Sequence, residues 1–151
     1  MTRNVLIFHG TAGNPKGNWF PWLKEQLESR GYKVQIPALP HTSEPDDEEQ
    51  VQFVIKNCKL DKNTVMIGHS FGGVVALRLL EKGIKVNRVV LMCTPFSGKF
   101  LDKKSRPSVT KACQKGFDFS KIKANAKSFV LLTIPATTLC LCPTANLSRK
   151  N

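Results

Sequence analysis

Short apolar runs and longer periodic stretches take turns along this chain of 151 residues. Asn4 to Phe8 is a continuous apolar run, the pattern of a strand buried on both faces of a parallel sheet. From Trp19 to Arg30, Phe20, Leu23 and Leu27 recur at helical spacing, with Asn18 placed to cap the start and Gly31 to end it. Lys33 to Ile36 reads as a second strand, closed by Pro37 and Pro40. After a polar loop, Ser43 opens an acid-rich first turn. There Asp46, Asp47 and Glu48 suit the positive end of a helix, with Val51, Val54, Ile55 and Cys58 as its buried stripe. Thr64 to Ile67 is a third strand, Phe71 to Lys82 a helix stopped by Gly83, and Arg88 to Met92 a fourth strand. Residues 94 to 117 read as irregular and basic. A short helix from Phe119 to Ala126 then leads to a fifth strand, Ser128 to Leu132. Strands alternating with helices imply a three-layer α/β fold, a parallel sheet with right-handed crossovers and helices on both faces. There is neither an internal repeat nor an internal linker.

The chemistry sits where the third strand meets the next helix. Gly68-His69-Ser70-Phe71-Gly72 follows the apolar run Thr64 to Ile67 directly. A nucleophilic serine needs such a strained strand-to-helix turn, and side chains at the flanking Gly68 and Gly72 would collide with neighbouring elements. Gly72 and Gly73 also let the helix lie close on the sheet. An oxyanion hole needs two backbone N–H groups, one from the residue after the nucleophile and one from an early strand-to-helix loop. Here the pair is Phe71 and Thr11, the latter in the loop His9-Gly10-Thr11-Ala12-Gly13-Asn14. The spacing Gly10-x-x-Gly13-x-x-x-Gly17 fits neither dinucleotide nor P-loop phosphate binding.

The rest of a catalytic triad is harder to find. A serine hydrolase of this type orders its residues as Ser, then Asp or Glu, then His, yet His9, His41 and His69 all precede Ser70. His69 is a poor general base because adjacent positions on the turn diverge. Beyond the helix that follows Ser70 the only acids are Asp102 and Asp118, neither at an obvious strand end. The expectation is a nucleophile and an oxyanion hole, with no triad acid or base in the chain and no cofactor.

Charge changes the picture in one respect. Residues 1–82 carry a net +1 and residues 83–151 a net +11, of the chain's +12. A basic half can mark a nucleic-acid surface. Its lysines and arginines are scattered, however, with few aromatics to stack bases, and a missing acidic C-terminal segment accounts for the imbalance as well. Five cysteines, odd in number, and no secretory signal point to a reducing, cytoplasmic setting. Cys140-x-Cys142 lacks the partners of a metal site, so no metal is expected.

With His9-Gly10-Thr11, Asn18-Trp19-Phe20-Pro21-Trp22-Leu23, the Ser70 pentapeptide and Phe119-Ser120-Lys121-Ile122-Lys123-Ala124-Asn125 in place, the chain resembles the retinoblastoma-binding-protein-9-type serine hydrolases. The YdeN-like branch is the more similar one, and the likeness runs from about Asn4 to Leu131. The resemblance implies a compact α/β-hydrolase with a Ser-Asp-His triad and little or no lid. It further implies an acid in an Asp-Asp-Pro segment after the strand that follows Asn125, and a base in a late Gly-His-Phe. This sequence has neither, so its sheet is expected to lack the family's C-terminal strand and helix. It also lacks the Leu-x-Cys-x-Glu motif for retinoblastoma-protein binding: Cys58 is flanked by Lys56 and Leu60, and Cys93 by Leu91 and Pro95.

The expected division is a domain over residues 1–132 and a tail over 133–151, unrelated to the family and disordered. One legal choice of codons for Leu132 to Leu139, CTC ACC ATT CCA GCG ACG ACC CTT, gives His-His-Ser-Ser-Asp-Asp-Pro when read from the third base. A frameshift near Leu131 is therefore one expectation for the tail. A membrane tail anchor is an alternative that Pro135 and Pro143 weaken, so no membrane partner is expected. The lineage reaction is hydrolysis of a small ester or amide. Set against it are a catalytically dead module that binds a small molecule or a protein, and a basic nucleic-acid-binding fragment. Without a covering element the strand Ser128 to Leu132 becomes an apolar edge, and the chain is expected to be marginally stable and prone to aggregate.

Overall fold

The computed structural model describes residues 3–96 and 106–132. Five strands, β1 (Asn4–Phe8), β2 (Lys33–Gln35), β3 (Val65–His69), β4 (Val86–Met92) and β5 (Ala126–Leu132), form one sheet in the order β2-β1-β3-β4-β5. Every neighbouring pair is parallel. The helices are α1 (Phe20–Glu28), α2 (Asp47–Asn57), α3 (Phe71–Glu81), α4 (Pro107–Gln114) and α5 (Phe119–Ala124).

Alternate residues of each strand serve opposite faces, so the sheet carries two cores. Leu6, Phe8, Met66, Val89 and Leu91 pack with α2, α3, α4 and α5. Val5, Ile7, Val34 and Ile67 pack beneath α1 through Phe20, with Leu23 and Leu27 partly buried beside it. The three-layer α/β expectation therefore stands. The chain leaves β1 toward β2 and then returns past β1 to β3. This reversal places the switch point between the C-terminal ends of β1 and β3, where open α/β sheets leave a crevice.

Several local expectations change. Asn18 does not cap α1. It adopts φ +53°, Trp19 takes the N-cap position without a side-chain bond, and Pro21 pre-sets the first turn. Asp46 lies outside α2 as its cap, accepting the amides of Glu48 and Glu49. On α2 the buried stripe is Asp47, Gln50, Val51 and Val54, which turns Ile55 outward to 41% exposure and leaves Cys58 half-buried. Residues 107–114, read as irregular, form α4. Pro107 opens it, and Val109, Ala112 and Cys113 supply its inward stripe.

The acid-rich stretch at the start of α2 proves to be a set of separate attachments. Glu44 faces Arg106 at 3.5 Å, Glu48 faces Lys82 at 2.8 Å and Glu49 faces His41 at 2.8 Å. Buried Asp47 bonds both Arg78 (2.9 Å) and Lys115 (2.6 Å). Arg78 also donates to Glu81, Gly116 O and Ala112 O and lies 4.3 Å over the Phe117 ring, so one guanidinium binds α2, α3 and the α4–α5 turn together. Burial works against the Asp47 charge, but the hydrogen bonds from Lys115 and Arg78 prevail and hold its carboxyl below the usual range. Part of the basic second half is thus neutralised by the first.

Candidate active site

Ser70 is the single residue between β3 and α3. Its backbone takes φ +53° and ψ −124°, a conformation that costs a residue with a Cβ and persists only where its surroundings enforce it. The enforcing contacts are visible. The Ser70 amide donates to Met92 O at 2.8 Å, while the Gly73 amide turns back to Ser70 O at 2.9 Å. Gly72 lies against the Phe8 backbone and Gly68 against Gly73, closely enough that a methyl group at either would collide with main chain. The glycines flanking Ser70 thus let α3 start against β1 with the serine turned out at the tip.

The loop after β1 meets this tip. A methyl group at Gly10 would sit 2.8 Å from Ser70 Cβ and 3.2 Å from Ser70 Oγ, so the absent side chain is what admits the serine hydroxyl. Within this loop the Ala12 amide donates to Thr42 O at 2.6 Å and the Gly13 amide to Gly10 O at 3.0 Å. The Thr11 and Phe71 amides have no acceptor among the described residues, Phe71 because it opens a helix and has no carbonyl four residues back. The structure therefore brings Gly10, Gly68, Ser70 and Gly72 together, with the Thr11 and Phe71 amides on the two flanking segments.

The histidines divide into three situations. His9 is wholly buried, and its Nε2 accepts the Leu39 amide at 3.1 Å. That leaves the proton on Nδ1, which donates to Gly10 O at 3.2 Å. Burial lowers its pKa, so this is a neutral ring with both nitrogens committed, clamping the Gly10 loop to the segment after β2. His69 turns to the α1 face, edge-on to Trp19 (5.9 Å) and Phe20 (6.0 Å), and burial lowers its pKa too. His41, at φ +47° on the surface, bonds Glu49; that hydrogen bond and the carboxylate charge raise its pKa.

Of the acids that follow Ser70, the two described ones, Glu81 and Asp118, are far from it. Asp118 caps α5, and its amide bonds Glu81 Oε1 at 2.6 Å. Glu81 ends the eleven-residue α3 that Ser70 begins, which puts the pair about 16 Å from the serine at 1.5 Å per residue. Asp102, Cys140, Cys142 and the 133–151 tail lie outside the described residues. Among the described residues no group of three or more His, Cys, Asp or Glu side chains could hold a metal, and no helix is long and apolar enough to cross a membrane. A shallow cavity of about 200 Å³ lined by Arg3, Arg30, Gly31 and Tyr32 lies by the starts of β1 and β2, at the opposite end of the sheet from Ser70.

Sequence reasoning missed two contributors to this site. The segment from Leu39 to Ser43 reads only as a polar loop along the chain, yet it secures both His9 and Ala12. Arg106, one of the scattered basic residues in the sequence, donates to Ser43 O at 2.6 Å. None of these three bonds has a signature along the chain, since each joins residues at least 30 positions apart.

Comparison with known proteins places this geometry. The family model for the alpha/beta hydrolase fold matches residues 3–115. Over 82 residues the chain is 34% identical to YdeN of Bacillus subtilis (strain 168), a protein named as a hydrolase; the match covers 54% of this chain and 43% of that one. It thus spans less than half the length of this curated relative. The crystal structure of the ydeN gene product superposes with a TM-score of 0.71 at 26% identity, covering 87% of this chain and 71% of that one. Mouse alpha/beta hydrolase domain-containing protein 10 shares the fold at a TM-score of 0.60 and 11% identity, over 86% of this chain and 79% of its own.

Proposed function

The chain belongs to the alpha/beta hydrolase family, and on that footing we propose that Ser70 is an acyl-transfer nucleophile for small ester or amide substrates. The observation that carries this reading is the strained Ser70 backbone at the switch point, with the Gly10 loop against its hydroxyl. Ser70 Oγ bonds to the substrate carbonyl carbon, and the displaced π pair moves onto the carbonyl oxygen. The Phe71 and Thr11 amides receive that oxyanion. Solvent water carries the Ser70 proton to the leaving group, collapse expels the alcohol or amine, and a second water cleaves the acyl–serine ester to release the acid and return the proton to Ser70 Oγ. Similarity to YdeN supports the reaction class, with no metal or organic cofactor called for.

Among the described residues no base is assigned to Ser70. A serine hydroxyl is a weak nucleophile at neutral pH unless a partner takes its proton. His9 spends both nitrogens elsewhere and His69 faces the opposite side of the sheet. These observations favour a second reading, a module that keeps the crevice and binds a small molecule or a protein without turnover. The charge pairs of Arg106, Lys115 and Lys82 with the acids around α2 count against the nucleic-acid reading. We take residues 1–132 as the hydrolase domain and 133–151 as a separate tail. The thiols of Cys58 and Cys113 fit a cytoplasmic setting, with neither membrane nor nucleic acid as partner.

Hydrolysis of 4-nitrophenyl acetate by the native chain and by Ser70→Ala tests this. The expected result is slow turnover, about a thousandfold or more below a complete triad enzyme, lost in the variant. Equal rates in both would favour the binding module. Rates typical of a full triad, abolished by Ser70→Ala, would mean that a base reaches the serine after all.

A further inference from the structure

The segment between β2 and α2 is fastened at four points around the Ser70 end of the sheet. Leu39 N–H bonds His9 Nε2 (3.1 Å), Pro40 O accepts from Gln50 Nε2 (2.7 Å), Thr42 O accepts the Ala12 amide (2.6 Å) and Ser43 O accepts from Arg106 (2.6 Å). Ala12 directly follows Thr11, so the Thr42 contact fixes the next peptide along from the proposed oxyanion donor. His41 sits in the middle of this segment at φ +47°, a backbone state that its neighbours must hold in place. Two bonds do so: Glu49 Oε2 lies 2.8 Å from His41 Nδ1, and the Glu44 amide donates to His41 O at 3.2 Å.

We propose that His41 and Glu49 are positioning residues, whose ion pair holds Thr42 O against the Ala12 amide and thereby steadies the Thr11 N–H as a donor to the oxyanion formed at Ser70. This inference rests on the reading of Ser70 as nucleophile and Thr11 as oxyanion donor. The other charged groups around His41 are occupied. Glu44 turns to Arg106 ahead of α4, Asp46 caps α2, and His9 beneath the segment is neutral. Glu49 raises the His41 pKa, so the imidazolium–carboxylate pair is complete below about pH 6.5 and is lost as pH rises through the raised value. The site would tighten on the acid side of neutrality and loosen on the alkaline side.

Hydrogen exchange at the Ala12 amide, followed by NMR from about pH 5 to about pH 9, reads this brace without requiring turnover. In the native chain the protection factor should fall about two- to fivefold across that range, the scale of an exposed ion pair. His41→Gln retains a side-chain donor for Glu49 but cannot titrate, and its protection should be independent of pH. His41→Ala should be low and flat. Flat protection in the native chain, or a persistent pH dependence in His41→Gln, overturns the brace. Turnover of 4-nitrophenyl acetate measured alongside separates the two ideas. If protection follows His41 while Ser70-dependent turnover does not, the positioning role is wrong. If turnover ignores Ser70→Ala while protection still follows His41, the brace stands and the nucleophile reading alone falls.

Discussion

The face of the sheet turned toward α3 and the face turned toward α1 draw on the same five strands, with equally apolar residues. On the α3 side Leu6, Phe8, Met66, Val89 and Leu91 are buried beneath or beside four helices. On the other side Val5, Ile7 and Ile67 are buried under α1, but among the described residues the cover ends with that helix. Val90 and Met92 are half-buried, and their register neighbours Val130 and Leu132 are 39% and 48% exposed. Leu131, at 53%, is the register neighbour of Leu91, so at the β5 edge the α3 side is exposed as well. Residue type does not separate the two faces. An apolar side chain is able to be buried; a covering element decides whether it is. Ser70 belongs to the well-covered half, where tight packing can hold a strained backbone.

The largest effect should come from the packed side. Gly72→Val would drive a branched side chain into the Phe8 backbone and should cost more than about 4 kcal/mol, measured by denaturant unfolding. A mild effect there would mean that α3 can shift and that the Ser70 conformation is not enforced by packing.

Arg78→Ala comes next. It leaves buried Asp47 and Glu81 without their shared partner, and the expected loss is about 3–5 kcal/mol. The related variant Asp47→Asn carries a pH signature. Because the folded pKa of Asp47 is depressed, its contribution is complete above the unfolded value near about 3.9 and disappears as pH falls through the folded value. The stability gap between the native chain and Asp47→Asn should therefore be constant near neutrality and close in acid. A gap that persisted in acid would assign the cost to lost packing rather than lost charge.

The smallest effect on stability belongs to the open face. Val130→Thr with Leu132→Lys should change unfolding free energy by no more than about 0.5 kcal/mol, since little burial is lost. Self-association in sedimentation should decrease, because an apolar edge strand invites pairing. A loss of several kcal/mol instead would show that something covers this face in solution.

Much of this architecture is legible along the chain. Continuous apolar runs mark β1 and β3 because a strand covered on both faces must be apolar at every position. The pentapeptide around Ser70 marks the elbow because a sharp turn against a neighbouring strand leaves no room for side chains at Gly68 and Gly72. These are local constraints, met by residues close in sequence. Others were decided only in three dimensions. Ile55 and Val54 are adjacent and equally apolar, and the position of α3 alone turns one in and the other out. The acids around the start of α2 look like helix-end charge until Arg78, Lys115 and Arg106 arrive from distant segments. His9 and His41 are indistinguishable as letters. Burial with both nitrogens bonded makes one a neutral clamp, whereas a surface carboxylate makes the other a titratable pin. Local sterics and periodicity are written in the order of residues, but the protonation, pairing and covering of a side chain depend on neighbours that only the folded chain supplies.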